Sequence, residues 1–455
     1  MRSSHPANRW PLTFTIACLL LVAFAPACDR DNARGAAADV VTIRFWNGFT
    51  GPDGRTMLRL VQRFNRENPD VQVIMQRMDW GTYYNKLFVA GLGGRAPEVF
   101  VAHTDSLARF TRAGFVRPVD DLLGAGGLDP ADFDANVLGA VVHGGRHYGV
   151  PLDIHLLGMY YNRALFKRAG IVDADGNAKP PTNRQEFLDA IEKLRLDHTG
   201  DGAPDTWGFV FTWLRTNCFT AMRQNGGQLF TDDHARCTVN SPANVEAVQF
   251  CADLIRVRKL APGPENFDSW IGFRQGRVGI AFEGIYMLPD LVKQKDLDYA
   301  AAPLPVLFDK PAAWASSHNL CLRADLDERQ LDAARRFIEF LSDNSLDWAE
   351  GGQVPVRKSL RASARFRTDE KMRAQRAFAQ QIPYAAYMPT VPFVTEYMRF
   401  YDDALESALR GSTTPQAALD LAAARIEKVM ARYRNAPPPP PAEVQAARGG
   451  GGGAP

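Results

Sequence analysis

The order of apolar and polar residues after Val40 alternates between short β-type runs and longer amphipathic stretches. VVTIRFW, VQVIMQRM and EVFVAH are rich in β-branched and aromatic residues, which is typical of strands. Between them, TMLRLVQRFNREN and YYNKLFVAGLGG place apolar residues at helical spacing. This β-α-β-α-β order predicts a mostly parallel sheet covered by helices.

The later part of the chain contains further amphipathic segments with helix-start signals. PTNRQEFLDAIEKLRL begins with Thr182 or Asn183 as the cap, and SPANVEAVQFCADLIRVRK begins with Ser241 followed by Pro242. DERQLDAARRFIEFLSD predicts another helix, and RVGIAFEGIY predicts a strand followed by a loop. The pattern therefore predicts an α/β fold over residues 40–434.

The N-terminal segment is typical of exported proteins. Two arginines precede the uncharged stretch WPLTFTIACLLLVAFAPA, so residues 1–27 are predicted to be a signal peptide. The tripeptide before Cys28 fits both a bacterial lipoprotein box and an ordinary cleavage site. We favour a lipid anchor at Cys28 with residues 28–39 as a tether, which predicts a periplasmic or extracytoplasmic, membrane-anchored lipoprotein.

The opposite end of the chain is low in complexity. APPPPPAEVQAARGGGGGAP joins a stiff proline run to a flexible glycine run and has little apolar surface to bury. Residues 435–455 are therefore predicted to be a disordered tail.

Overall composition excludes some classes of partner. The 455 residues are 46% hydrophobic and 23% charged, which is ordinary for globular proteins. The net charge of +2, from 53 basic and 51 acidic residues, gives no field that would gather a polyanion. We expect a monomer with no nucleic-acid partner.

Cysteine and acidic patterns give no strong signal for metal or redox chemistry. Of six cysteines, four lie in the predicted folded part, and no C-x-x-C pair is present. Cys218 and Cys237 flank a turn-rich segment, and the sequence leaves open whether they form a disulfide. DHTGDGAPDTWG partly matches a calcium loop but has Gly208 where a bidentate Glu is needed, which favours a tight turn. No metal site and no cofactor are predicted.

Aromatic and hydrogen-bonding side chains recur where the predicted strands end, which is where ligands bind in open α/β sheets. Asp153 and His155 lie inside the apolar run VPLDIHLLGMYY, so each needs a partner. A sugar ring offers an apolar face for stacking and a rim of hydroxyl groups for hydrogen bonds. The stacking candidates are Trp46, Trp80, Trp213, Tyr286 and Trp314, and the polar candidates are Asn47, His103, Asp153, His155, Glu283, His318, Asn319 and Arg357.

Several motifs in order carry a family resemblance. They include IRFWNGFTGPDG, QRFNRENPDVQV, YGVPLD, YYNRALFKRAGI, PPTNRQEFLDA, GDGAPDTWGF, NGGQLF, FRQGRVGIAFEG and GGQVPVRKS. In this order and spacing they resemble the bacterial extracellular solute-binding proteins of sugar ABC transporters, the family of the maltose-binding and glycerol-phosphate-binding proteins. The resemblance implies an α/β, two-lobed periplasmic-binding-protein fold, with a mixed sheet flanked by helices in each lobe.

The resemblance also implies how the lobes divide the chain. Residues 40–152 would form the first part of lobe 1 and residues 153–300 the first part of lobe 2. Residues 301–350 would return to lobe 1, and residues 351–434 would complete lobe 2. The hinge is expected near Pro151 to His155.

The family resemblance implies roles for individual residues. Tyr286 stands where relatives often place a stacking aromatic residue, and Glu283 stands at an acidic or amide position. Either Asp153 or His155 takes the place of a ligand-contacting acid, unless both brace the hinge. Arg357 faces either the ligand or the surface between the lobes.

The sequence thus predicts a binding protein and no enzyme. Its expected ligand is a sugar or oligosaccharide, and its expected partners are the membrane subunits of an ABC permease. A binder of glycerol 3-phosphate, a glycerophosphodiester or a polyol is the alternative. A secreted glycoside hydrolase using Asp153 and Glu283 is a more distant alternative, since two carboxylates flank the bond that such enzymes cleave.

Overall fold

The computed structural model describes residues 40–265 and 267–436. The predicted signal peptide, Cys28, the tether and residues 437–455 of the predicted tail lie outside the described residues. The described part contains fourteen strands: β1 (Val41–Asn47), β2 (Val71–Arg77), β3 (Val99–His103), β4 (Val142–His143), β5 (Arg146–His147), β6 (Val150–Pro151), β7 (Asp153–Asn162), β8 (Trp207–Phe211), β9 (Val278–Gly284), β10 (Tyr299–Ala302), β11 (Ala313–Ser316), β12 (His318–Leu322), β13 (Val354–Pro355) and β14 (Ala385–Tyr387).

Seventeen α-helices accompany these strands in the described part. They are α1 (Pro52–Glu67), α2 (Trp80–Leu92), α3 (Leu107–Ala113), α4 (Ala135–Gly139), α5 (Arg163–Arg168), α6 (Arg184–Leu194), α7 (Leu214–Gln224), α8 (Pro242–Arg256), α9 (Ser269–Arg274), α10 (Leu288–Leu291), α11 (Glu328–Asp343), α12 (Ser345–Trp348), α13 (Lys358–Ala362), α14 (Ala364–Thr368), α15 (Arg373–Ala379), α16 (Val394–Arg410) and α17 (Pro415–Asn435). None of the helices in the described ranges is both long and apolar enough to span a bilayer.

The first sheet has the strand order β2-β1-β3-β12-β6. The pairs β1/β2 and β1/β3 are parallel, as the alternating pattern predicts, whereas β12 pairs antiparallel with both β3 and β6. This register places His318 opposite His103 at the same edge of the sheet.

The second sheet is built around the long strand β7. Its order is β14-β11-β7-β9-β8, and β10 and β13 also pair with β7. All ten residues of β7 are buried. A strand covered on both faces is expected to be nearly continuous in apolar residues, which explains the run that follows His155.

The two sheets are connected by neighbouring stretches of chain. One runs from β6 to β7 through Leu152, and the other runs from β11 to β12 through Ser317. The Leu152 N–H donates to the carbonyl oxygen of His318 at 2.9 Å, so the two connections are hydrogen-bonded to each other.

Sheet pairing differs from the expected return to the first lobe at residue 301. Strands β10 and β11 pair with β7 in the second sheet, and the chain rejoins the first sheet at His318. These two short strands complete the hydrogen bonding of β7, a need that periodicity within residues 301–316 does not reveal.

Capping side chains fix the starts of several helices. Asn183 caps α6 and Ser241 caps α8, with Oδ1 of Asn183 accepting the N–H of Glu186 at 3.0 Å. Asp327 and Gln330 form a reciprocal capping box at α11. The predicted caps at Asn183 and Ser241 are thereby confirmed.

The cysteines and the calcium-like loop have structural explanations. Cys218, Cys237, Cys251 and Cys321 are free thiols. In the loop, both carboxylate oxygens of Asp197 accept backbone N–H groups, from Gly200 at 2.7 Å and from Gly202 at 2.8 Å. Asp197 therefore stabilises a tight turn.

Candidate binding cleft

A large cleft of about 1170 Å³ opens where segments from both sheets end. The loop before α1, the first turn of α2 and the residues after β3 contribute from the first sheet. The residues after β8 and β9, the end of β11 and the helix α16 contribute from around the second sheet. This location agrees with the rule that ligands bind beyond strand ends in α/β folds.

Four of the predicted aromatic residues line this cleft: Trp80, Trp213, Tyr286 and Trp314. Trp213 is 53% exposed, which is unusual for a tryptophan and makes its ring available to a ligand. Trp80 lies at the start of α2, where a Cβ atom on Gly48 would come within 2.1 Å of its ring. Gly48 is therefore required for this position of Trp80.

Asp153 lies beneath the cleft at the centre of a hydrogen-bond cluster. Its Oδ2 accepts from Nε1 of Trp348 at 2.6 Å and from Nδ1 of His318 at 2.8 Å. Its Oδ1 accepts from Nδ1 of His155 and from the backbone N–H of His318, both at 3.2 Å. Asp153 is fully buried, and these donors replace the water that the carboxylate has lost.

Three imidazole rings meet at the floor of the cleft. The ring centroids of His155 and His318 are 4.5 Å apart, and those of His103 and His318 are 4.8 Å apart. Trp80 stacks on His318 with a centroid distance of 5.6 Å and an interplanar angle of 13°. All three histidines line the cleft.

Burial governs protonation in this cluster. Loss of solvent, together with the neighbouring His318, lowers the pKa of His155 to about 4 and also lowers the pKa of His103 well below its usual value. Burial alone would raise the pKa of Asp153, but the two histidines that face it hold it far below its usual range. Asp153 is thus ionised and His155 neutral at pH 7.

Glu283 lies beside the main cleft, in a side pocket of about 270 Å³. Burial raises its pKa to about 8, against the opposing effect of hydrogen bonds from Gly284, Thr212, Trp213 and Tyr286. Of these groups, the backbone N–H of Gly284 donates to Oε1 of Glu283 at 2.7 Å. Gly284 leaves room for the Tyr286 ring, because a Cβ atom there would lie 2.1 Å from it.

Two buried polar side chains at the cleft have no partner within the described residues. Both side-chain atoms of Gln353 and the hydroxyl of Ser316 are buried and unpaired. Both residues line the cleft. Buried polar groups in folded proteins are almost always hydrogen-bonded, so these atoms have unused capacity for a hydrogen-bond partner beside the cleft.

The charges around the cleft are mixed but acidic in balance. Six carboxylates and three guanidinium groups line it, with no lysine among the described residues of the lining. Arg215 forms an ion pair with Asp402, with Nε to Oδ1 at 2.8 Å. Arg109 lies over the ring of Phe88 with its Cζ 3.9 Å from the ring centroid.

Besides Asp153 beneath the cleft and Glu283 in the side pocket, four predicted site residues do not line the cleft. Asn319 is buried and donates from Nδ2 to the carbonyl oxygen of Ala102 at 3.0 Å. Asn47 accepts the N–H of Phe49 through Oδ1 at 3.2 Å. Trp46 packs outside the cleft, with Lys86 Nζ 5.3 Å from its ring centroid.

Arg357 is the fourth of these residues, and it is held by acidic neighbours. It forms ion pairs with Asp132 and with Asp343, the latter at 3.0 Å from Nη1 to Oδ1. These contacts orient the guanidinium group away from the cleft lining.

Sequence reasoning missed several residues of this region. Tyr84 and Gln353 line the cleft, and Trp348 supports Asp153 from below. Tyr84 lies one turn into α2, and its position four residues after Trp80, on the same helix face, was the signal that could have identified it. Nothing in the local sequence around Trp348 links it to Asp153, because 195 residues separate them.

The chain is similar to known bacterial binding proteins along most of its length. Residues 48–345 match the sequence profile of the family described as bacterial extracellular solute-binding protein. The chain belongs to this family. The sn-glycerol-3-phosphate-binding periplasmic protein of Escherichia coli K12 is 24% identical over 441 residues, covering 88% of this chain and 95% of the relative. That of Salmonella typhimurium LT2 is 24% identical over 435 residues, covering 88% and 95%.

Solved structures of the same architecture confirm the predicted fold class. The ABC substrate-binding protein Lmo0181 of Listeria monocytogenes, in complex with cycloalternan, has a TM-score of 0.74 at 21% identity and covers 86% of this chain and 100% of its own. The maltose/maltodextrin-binding domain of Bdellovibrio bacteriovorus, bound to maltotriose, has a TM-score of 0.72 at 23% identity, covering 86% and 100%. The extracellular solute-binding protein therefore has the α/β, two-lobed fold of these structures.

Proposed function

We propose that this solute-binding protein captures a sugar or oligosaccharide in the cleft and delivers it to the membrane subunits of an ABC permease. The observation that carries the proposal is the aromatic lining, with Trp80 on one side and Trp213, Tyr286 and Trp314 on the other. Aromatic rings stack on the apolar faces of sugar rings, and the unpaired atoms of Gln353 match sugar hydroxyl groups.

The size of the cleft supports more than one sugar ring. Ligand pockets for small molecules have volumes of about 300 to 1000 Å³, and this cleft has about 1170 Å³. The binding of cycloalternan and maltotriose by two proteins of the same fold agrees with an oligosaccharide ligand.

Glycerol 3-phosphate is the second candidate, because the relatives in Escherichia coli and Salmonella are named for binding it. The charge of the cleft opposes this candidate. A phosphate dianion needs several free cationic donors, whereas Arg215 is already paired with Asp402 and carboxylates outnumber guanidinium groups in the lining.

The position of Asp153 argues against hydrolysis of the bound glycoside. A hydrolase needs two carboxyl groups that reach opposite sides of the scissile bond. Asp153 is fully buried, and both of its oxygens accept protein hydrogen bonds. The proposal is therefore a binding protein without catalysis. From the sequence alone, we also propose that a lipid on Cys28 holds the protein to the membrane and that it acts as a monomer.

Solute capture would change the balance between open and closed arrangements of the two lobes. A ligand shifts such a balance only as far as it binds the closed form more tightly than the open form. Contacts from Trp80 and Trp314 on one bound sugar would favour the closed form, because Trp80 begins the helix that follows β2 of the first sheet and Trp314 lies on β11 of the second.

Isothermal titration calorimetry with a panel of mono- and oligosaccharides, polyols, glycerol 3-phosphate and glycerophosphodiesters tests the proposal. We expect heat with at least one saccharide. Trp314→Ala should weaken this binding by at least about tenfold, because one stacking contact contributes about 1 kcal/mol beyond its buried area. Trp46→Ala is the matched control, since Trp46 packs outside the cleft and should leave the affinity unchanged.

Two results would contradict the proposal. Binding of phosphate compounds alone would replace the sugar with the second candidate. Equal loss of affinity in Trp46→Ala and Trp314→Ala would show that the cleft is not the binding site.

A further inference from the structure

The three histidines at the floor of the cleft form a group with the composition of a metal site. His103, His155 and His318 each place one ring nitrogen within 4.8 Å of the others. His103 and His318 lie opposite each other on β3 and β12 of the first sheet, and His155 lies on β7 of the second sheet. The group therefore draws its members from both sheets.

Hydrogen bonds define which nitrogen of each ring is available. An ionised carboxylate only accepts hydrogen bonds, so Asp153 requires a hydrogen on Nδ1 of both His155 and His318. In a neutral ring with that hydrogen, Nε2 carries the free lone pair. Asp153 thus sets the tautomer of two rings at once.

The third ring is held through the same atom. Nδ1 of His103 hydrogen-bonds to the hydroxyl group of Tyr84, and the oxygen of that group also accepts the backbone N–H of His103 at 3.1 Å. Among the described residues, no hydrogen bond engages Nε2 of any of the three rings. Within the described residues, Nε2 of each ring is therefore free of protein hydrogen bonds, and Nε2 of His103 carries a lone pair when Nδ1 donates to the Tyr84 oxygen.

Hydrogen bonds at Nδ1 of the three rings resemble those that orient histidines bound to metal ions. Such histidines almost always donate their other ring N–H to a carboxylate or another oxygen, which fixes the ring and raises its basicity. Imidazole nitrogens favour Zn²⁺, Cu²⁺, Ni²⁺ and related ions over Mg²⁺ or Ca²⁺, which prefer oxygen. Three histidines also leave a fourth tetrahedral position open.

We propose that His103, His155 and His318 bind one divalent transition-metal ion, such as Zn²⁺, through Nε2, with the open position facing the cleft. Three nitrogens at about 2.1 Å from a tetrahedral ion lie about 3.4 Å apart, so the rings must approach one another on binding. Since His155 belongs to a different sheet from the other two, the ion links the sheets. A hydroxyl or phosphate oxygen of a bound solute can occupy the fourth position.

Metal titration of the full chain tests this site. The protein is freed of metal with a chelator, and Zn²⁺ binding is measured by competition with a chromophoric chelator. Co²⁺ provides a second readout, because its visible absorption reports tetrahedral coordination and an all-nitrogen site lacks a thiolate charge-transfer band. We expect one Zn²⁺ per chain and no thiolate band.

Variants of the ring nitrogens and of their supports show whether the cluster is responsible. His155→Gln and His103→Gln should each weaken Zn²⁺ binding by at least about 100-fold, and Tyr84→Phe should weaken it by about tenfold. His198→Gln is the matched control, because His198 is exposed in a turn far along the chain and should leave the affinity unchanged. His103 is only half-buried, so its variant tests the site even if His155→Gln fails to fold.

Three results would overturn the proposal. One is the absence of stoichiometric Zn²⁺ binding by the full chain. Another is binding of equal strength in His103→Gln and the original protein, and the third is a loss in His198→Gln as large as that in His103→Gln.

The metal site goes beyond the proposed capture of a sugar and is tested separately from it. Saccharide titration of the metal-free protein examines sugar binding alone, and Zn²⁺ titration without saccharide examines the histidines alone. Zn²⁺ binding without any saccharide binding would overturn only the proposed function. Saccharide binding without Zn²⁺ binding would overturn only the metal site.

Discussion

Asp153 shows how a carboxylate can be placed inside an apolar strand. Its four donors come from three parts of the chain: His155 in β7, His318 in β12 and Trp348 in α12. Hydrogen bonds to an ionised group are about twice as strong as those between neutral groups. The side chain therefore joins segments that are distant in sequence.

Replacing Asp153 with Asn should destabilise the protein strongly. The amide keeps the shape of the side chain but offers one acceptor oxygen, so at least one of the donors from His155, His318 and Trp348 would lose its partner. Leaving a buried donor without its partner costs about 1 to 3 kcal/mol. Denaturant unfolding should show a loss of this order in Asp153→Asn.

The exposed Asp296 provides the control for this substitution. Asp296→Asn should change the free energy of unfolding by less than about 0.5 kcal/mol. A similarly small change in Asp153→Asn would mean that its hydrogen-bond cluster contributes little to stability.

Glu283 predicts a pH dependence of stability with a definite sign. Its pKa is raised to about 8 in the folded protein, whereas a glutamate in an unfolded chain has a pKa near about 4.3. Between these values the folded state keeps a proton that the unfolded state has released, so the free energy of unfolding falls as pH rises.

The contribution of Glu283 is obtained from the protein and its Glu283→Gln variant at pH 5 and pH 8. Gln cannot titrate, so the variant should lose less stability over this interval, by about 3 kcal/mol. Parallel changes in both proteins would show that Glu283 is ionised at neutral pH in the folded state.

Sequence could identify the need for bonding partners at Asp153 and His155 but not the partners themselves. The sequence shows two polar groups inside an apolar run, and in the structure these two residues hydrogen-bond to each other. The contact with His318 spans 165 residues and depends on how the sheets are placed. Trp46 and Arg357 show the opposite case. Their positions in the sequence suggested ligand binding, but their side chains pack outside the cleft.

Strand β7 is the element on which the second sheet depends. It pairs with β9, β10, β11 and β13 and is buried along its whole length. Helix α15 packs against it at Gly158, where a Cβ atom would lie 2.4 Å from the ring of Phe378. The glycine thus permits the close approach of this helix.

Gly158→Ala should destabilise the protein by about 1 to 3 kcal/mol, because the added methyl group would force the Phe378 ring or the strand to move. Denaturant unfolding measures the loss. Gly139→Ala is the matched control, since no atom lies within 4 Å of its added Cβ and its stability should be unchanged or slightly higher.

A second substitution checks the cause of the Gly158→Ala effect. Phe378→Leu combined with Gly158→Ala should recover part of the stability lost in the single alanine variant, because the smaller side chain removes the clash. Purely additive losses would mean that the effect arises elsewhere in β7.

Elements with strong local signals were predicted well from sequence. The strands β1, β2 and β3 and the helices α6, α8 and α11 follow from periodicity and caps. Short strands such as β10 and β13 carry too few residues to show a period, and their pairing with β7 is set by the tertiary structure. The helix α2 begins at Trp80, earlier than the apolar spacing indicated, because Asp79 caps it.

For the molecule as a whole, ligand binding should be visible as added stability. A solute that binds only the folded state adds about 2.7 kcal/mol to the free energy of unfolding at 100 times its dissociation constant. Chemical unfolding with and without the saccharide identified by calorimetry measures this shift.

The same unfolding experiment with Trp314→Ala and Trp46→Ala provides the comparison. At the same saccharide concentration, a tenfold weaker Trp314→Ala variant should show a shift of about 1.4 kcal/mol, and Trp46→Ala should keep the full shift. An equal shift in all three proteins would indicate binding away from the aromatic lining.

The two-lobed arrangement was accessible only through the family resemblance. Periodicity gives a sheet with helices for each half, but it does not show that β12 rejoins the first sheet beside β3. The lobe boundaries and the hinge near Pro151 to His155 stay predictions, and so do the lipid anchor and the permease partner.

The paired connections between the sheets restrict how the halves can move. Two stretches of chain lie side by side there, joined by the bond from Leu152 to His318. Sliding one stretch along the other would break this bond, whereas flexing both together would preserve it. If the cleft closes by a hinge at these connections, such a double link would favour bending about one axis over twisting, and the aromatic rings on the two walls would then meet a bound solute in the same alignment each time.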